Sequence, residues 1–146
     1  MLEQKTIDII KSTVPFLREN GTELTKEFYR MLFINHPELQ GMFDMEKQKS
    51  GQQPTNLAGA ILAVAENIDT LEKILPAVEK IGVTHVKKNV LPEQYPIVGH
   101  TLLEAMKTIL GDLATDELLE AWGKAYEIIA KIFIDIEDNI YKNNYI

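Results

Sequence analysis

Two side chains that could do chemistry sit where apolar packing is expected. At about 100° per residue, Ile74, Val78, Ile81 and Gly82 fall on the same side of a helix as His85, while Lys80, Val83 and Lys87 point away. An imidazole on an apolar stripe has two readings. It is a core residue whose ring nitrogens are satisfied by backbone groups, or it offers one nitrogen to a metal while a partner holds the other and fixes the tautomer. Glu137 poses the same question. Leu119, Tyr126, Ala130, Phe133 and Ile134 lie within about 60° of it on a helical projection, with Glu127, Lys131, Asp135 and Asp138 on the far side. An unpaired buried carboxylate is costly, so Glu137 either reaches solvent near the helix end, is protonated, or meets donors. Beside His85 it would take the imidazole N–H and make the opposite nitrogen a more electron-rich ligand. Tyr95, between Pro92 and Pro96, is either an ordinary surface tyrosine or a second donor to that carboxylate.

Other chemistries find no support. The chain has no G-x-G-x-x-G, no G-x-x-x-x-G-K-[ST], no H-E-x-x-H and no cysteine, so the usual nucleotide and zinc sites have no candidates. No nucleophilic triad suggests itself. His36 lies in a Pro-bounded turn, and His100 is opposite the stripe of Val98, Leu102, Ala105 and Ile109; both read as solvated. The net charge of −7 argues against nucleic acid, whose binding relies on clustered Lys and Arg.

These residues need helices to position them, and the chain supplies little else. Its 146 residues predict one domain, long enough for a core of ordinary size. No apolar run is long enough to span a bilayer, and no secretory signal is visible at the N-terminus. Together with the absence of cysteine, this leads us to expect a cytoplasmic protein. Apolar spacing predicts a helix over 2–20, bent at Pro15 and stopped by Gly21, then one capped by Thr22 and running to about Asn35. A helical turn from Pro37 to near Gly41 is followed by a polar segment, Asp44 to Gly51, read as a mobile loop. Further helices are expected over 52–68, 74–89, 97–110 and from about 116 to 141, giving an all-α domain without strands or repeats.

Along nearly the whole chain, from about Leu2 to Tyr141, the sequence resembles the single-domain bacterial haemoglobins and the globin domain of flavohaemoglobins. The segments that carry the likeness are FYRMLFINHPEL at 28–39, MFDM at 42–45, QQPTNLAGAILA at 52–63, THV at 84–86, EQYPIVG at 93–99 and EAWGKAYEIIAKIFIDIE at 120–137. In this order and spacing they are highly specific. The resemblance implies a globin fold, helices packed around haem b at crossing angles near 50°. It makes His85 the proximal iron ligand, with Tyr95 and Glu137 behind it, in agreement with the pattern of the residues themselves. On the opposite side it implies Tyr29 and Gln53 as the polar groups near bound gas, Phe43 packing on the porphyrin, and Pro54 and Leu57 shaping the pocket. Periodicity alone reads Tyr29 and Phe43 as core and Gln53 as surface. It is compatible with the implied roles, since Gln53, Leu57, Ala60 and Val64 share one helix face and Tyr29 shares another with Thr25 and Phe33.

The function implied is binding of O₂, NO and CO at ferrous iron. Donors such as Tyr29 and Gln53 stabilise the negative charge that O₂ acquires there, and oxygen so activated combines with nitric oxide to give nitrate. The five residues His85, Tyr95, Glu137, Tyr29 and Gln53 are then the catalytic set. Flavohaemoglobins carry flavin- and nicotinamide-binding domains after the globin, whereas this sequence ends at Ile146, so turnover is expected to need a separate NAD(P)H-dependent reductase. The acidic surface would suit a basic reductase face. Nitric oxide detoxification is the leading expectation, with oxygen storage or delivery as the alternative. A haem sensor is disfavoured, and either a monomer or a homodimer fits.

Overall fold

The computed structural model describes residues 2–144, and among them every regular element is a helix. The order is α1 (Gln4–Ser12), α2 (Val14–Asn35), a 3₁₀ stretch (Pro37–Met42), α3 (Met45–Ser50), α4 (Gln52–Glu66), α5 (Leu75–Lys87), α6 (Tyr95–Leu110) and α7 (Asp116–Asn144). No described helix is long and apolar enough to cross a membrane.

The chain turns between α1 and α2 at Thr13, whose hydroxyl donates to the Ile10 carbonyl at 2.6 Å. Pro15 then falls in the first turn of α2, where a missing N–H costs no intrahelical bond. The expected stop at Gly21 is absent, because α2 runs straight through it. Gly21 is instead a crossing point: a Cβ there would lie 3.3 Å from the Ala58 Cβ of α4. Tertiary contact, not chain reversal, explains this glycine.

The structure also corrects the expected loop. The polar segment contains α3, capped by the Asp44 carboxylate, which accepts from the backbone N–H of Glu46 and Lys47 at 3.0 and 3.3 Å. Gly51, at φ 82°, closes it in the left-handed conformation that glycine adopts without strain. The helix containing His85 is as expected within two residues. α6 begins at Tyr95, so Pro96 lies inside its first turn.

The core is built by α1, α2, α4, α6 and α7 around Ile10, Leu24, Phe28, Leu32, Met106 and Trp122, all nearly or fully buried. α2 crosses both α4 and α6, while α5 packs along α7; among the described residues no comparable contact joins α5 to α4. Half-buried apolar side chains remain on both sides, Leu57 and Val64 on α4, Ile81 on α5 and Phe133 on α7.

Candidate functional site

The proximal group is assembled by the crossing of α5 and α7. Gly82, one turn before His85, permits that crossing: a Cβ there would stand 3.2 Å from Ile136 Cγ2 and 3.7 Å from Glu137 Cγ. The Glu137 carboxylate is consequently within reach of His85, and at 3% exposure it is buried rather than spread into solvent. Its Oε2 lies 2.7 Å from His85 Nδ1. The Tyr95 hydroxyl donates to the same carboxylate, 2.8 Å from each oxygen. No buried side-chain polar atom among the described residues is left without a partner.

This geometry decides the tautomer. A carboxylate only accepts, so the ring proton of neutral His85 belongs on Nδ1 and the lone pair on Nε2. The Tyr95 oxygen is 3.2 Å from Nδ1, against 2.7 Å for the carboxylate, so the carboxylate is the imidazole's principal partner. The Phe133 ring, with its centroid 5.5 Å from that of His85 and tilted by 35°, limits rotation of the imidazole. Burial first and the neighbouring Glu137 carboxylate second push the Tyr95 phenol well above its ordinary pKa, and it remains a donor.

Tyr95 is itself held by a residue that sequence reasoning places only on an apolar stripe. The Tyr126 hydroxyl donates to the Tyr95 backbone carbonyl at 2.7 Å, and its ring lies over Gly99, where a Cβ would come within 2.5 Å of it. A hydroxyl on a buried stripe needs a partner; that signal is present in the sequence, but the partner is a backbone atom with no signature.

The second polar group lies where α2 meets the start of α4. Tyr29 is 7% exposed, and its ring packs edge-on against Phe43 with centroids 5.5 Å apart. Phe33 completes a three-ring cluster, 5.8 Å from Tyr29 and 5.3 Å from Phe43. Burial pushes the Tyr29 pKa up to about 12. One turn earlier on α2, the Thr25 hydroxyl donates to the Pro54 carbonyl at 2.7 Å, which fixes the register of α4 against α2. Pro54 is buried, whereas Gln53 and Leu57 are half-buried. Gln48, which a loop assignment leaves without a role, donates from Nε2 to Gln53 Oε1 at 2.7 Å. Of the two remaining histidines, His100 is exposed and His36 Nδ1 lies 3.3 Å from Glu38.

These residues suit a metal held in a flat organic cofactor. Among the described residues no three or more His, Asp or Glu side chains gather to hold a bare ion, so a metal at His85 Nε2 would take its other ligands from a cofactor. The imidazole is oriented, its free nitrogen carries the lone pair, and half-buried apolar side chains flank α4 and α5. That donor set fits haem.

Comparison with known proteins decides the family. The globin profile matches residues 26–133. The chain belongs to the globin family. It is 52% identical over 141 residues to a flavohaemoprotein of Halalkalibacterium halodurans, covering 97% of this chain but 34% of that protein; it thus spans about a third of the length of the curated relatives it matches. Among solved structures it is similar to a globin of Campylobacter jejuni, with 48% identity, a TM-score of 0.92 and coverage of 96% of this chain and 99% of that one. An engineered carbene transferase made from a candidate nitric oxide dioxygenase of Rhodothermus marinus gives a TM-score of 0.94 at 29% identity, with both chains fully covered. The all-α globin fold and its haem are therefore established for this chain, and its ligands are the small gases that haem takes up.

Proposed function

We propose that this globin is a nitric oxide dioxygenase whose electrons come from an NAD(P)H-dependent reductase outside residues 1–146. The observation that carries this reading is the buried His85–Glu137–Tyr95 group. Haem held here would supply ferrous iron for O₂ binding and for its reaction with nitric oxide to nitrate, a one-electron oxidation of the iron that the reductase would reverse.

Each residue has a distinct task in this reading. His85 holds the iron through Nε2. Glu137 keeps the ring proton on Nδ1 and draws it outward, raising the basicity of Nε2. Tyr95 holds the carboxylate in place, and Tyr126 holds the Tyr95 backbone. The Tyr29 hydroxyl and the Gln53 amide would donate toward a bound gas and stabilise charge that develops on it. Phe43, Pro54 and Leu57 give the pocket apolar walls that exclude water, which strengthens those hydrogen bonds. Oxygen storage needs reversible binding only; the fixed carboxylate behind His85 serves electron donation toward the gas. The R. marinus protein and the flavohaemoprotein likeness support the same direction.

The test is steady-state nitric oxide consumption in air by catalytic amounts of haem-loaded protein, with NADH and the host's soluble reductase fraction. We expect many turnovers, nitrate as product, and loss of activity in Tyr29→Phe. Consumption that stops after one equivalent with haem still bound would make the protein an oxygen carrier.

A further inference from the structure

The helix that carries His85 ends in a Schellman turn whose first acceptor is His85 itself. Asn89, at φ 62°, is the one non-glycine among the described residues with a left-handed backbone, a conformation that asparagine tolerates better than most. It turns the chain so that the Asn89 N–H donates to the Val86 carbonyl and the Val90 N–H to the His85 carbonyl, each at 3.0 Å, the pair of bonds that defines this helix ending. The connection that follows gains little from packing. Leu91 is 43% exposed, and a cleft of about 280 Å³ is lined by Leu91 and Pro92 from the connection and by Ile134 and Asp138 from α7. Side chains that face a cleft lose contacts there, so hydrogen bonds must place this backbone.

One of those bonds comes from α7. The Tyr141 hydroxyl donates to the Val90 carbonyl at 2.7 Å, and Tyr141 stands one turn after Glu137 on the same face of that helix. Two successive turns of α7 therefore reach opposite ends of one residue. Glu137 meets the His85 ring at Nδ1, while Tyr141 reaches the His85 carbonyl through Val90, whose N–H and C=O are both engaged. We infer that Tyr141 is a further positioning residue for the imidazole, anchoring the backbone from which the ring projects while Glu137 fixes the ring itself. A ring held only at Nδ1 still tilts with the end of its helix. Held at both ends, it presents Nε2 at one angle.

This inference rests on His85 as the iron ligand, proposed above, and the experiment keeps the two apart. Tyr141→Phe removes only the hydroxyl, and Asn89→Ala strains the same turn without touching α7. In both, hydrogen exchange at the Val90 amide of the haem-loaded protein should quicken about 3–10-fold, as for one lost hydrogen bond. The iron–imidazole stretching band of the ferrous protein should broaden or shift, and ferric haem should pass to an apoglobin acceptor about 3–10-fold faster. A turn that merely closes α5 moves the exchange rate and the melting temperature but not the band. If exchange quickens in both variants while the band and haem transfer match the parent, Tyr141 does not position the ring and the inference is overturned. It is equally overturned if Tyr141→Phe leaves Val90 exchange unaltered. His85→Gly should abolish the band; if the band persists, another residue holds the iron, and the reading of His85 falls first, with this inference.

Discussion

Glu137 carries the sharpest consequence at the scale of single residues. It is a carboxylate 2.7 Å from His85 Nδ1, so in the proposed site, where Nε2 holds the iron, its charge acts on the metal only through the ring. Glu137→Gln keeps the shape and an acceptor but loses the charge. Ferric iron, the more positive state, loses more stabilisation, so the haem reduction potential should rise, by about 60 mV for each tenfold of differential stabilisation lost. A spectroelectrochemical titration reads this directly, and an unchanged potential at full haem occupancy would detach Glu137 from the iron. The anomaly at this residue is legible in the amino-acid pattern itself: a carboxylate and an imidazole each fall on an apolar stripe. Tyr29 and Phe43 are different. Their types suit an ordinary core, and only the likeness to haemoglobins singles them out. Gln48 is invisible in the pattern because a glutamine in a polar run carries no mark of what it will touch.

Among the elements, proline in the first turn makes the starts of α5 and α6 legible, whereas Pro15 reads as a bend although it too opens a helix, α2. Glycine and polarity mislead. Gly21 reads as a helix stop, yet it serves a close crossing with α4, and crossings leave no local signal. α3 reads as a loop because its residues are polar, although Asp44 and Gly51 offer a cap and a stop at the right separation. Gly99 illustrates how an inter-helix contact supports the site. A Cβ placed there would lie 2.5 Å from the Tyr126 ring, forcing the ring off the Tyr95 carbonyl. Gly99→Ala should destabilise the fold by about 1–3 kcal/mol through overpacking, and Tyr126→Phe by about 1 kcal/mol through loss of one hydrogen bond. Urea unfolding measures both; an alanine variant as stable as the parent would mean that the two helices part without cost.

For the whole molecule, buried phenols set the alkaline limit. Burial pushes the Tyr29 pKa up to about 12, and it raises Tyr95 and Tyr126 further. The fold thus favours the protonated form. Stability from this source is complete below the unfolded value of about 10 and is lost as pH rises toward the folded values, because the unfolded chain releases its protons first. For Tyr29 alone the loss is roughly 3 kcal/mol. Urea midpoints should fall between pH of about 10 and 12, with tyrosinate absorbance from the three residues appearing together with unfolding. Tyrosinate formation in a chain that remains folded would show that these phenols are open to solvent.

The bond between His85 and Glu137 joins residues 52 apart in sequence, and that separation has a meaning in time. A ribosome adds about 5–20 residues each second, so the imidazole is made roughly 3–10 s before the carboxylate that will fix it. Throughout that interval the nascent chain has a histidine but no partner to choose its tautomer, and haem that arrived early would meet a ring free to turn. In the proposed site, the orientation of the ring is therefore decided only once α7 has been made.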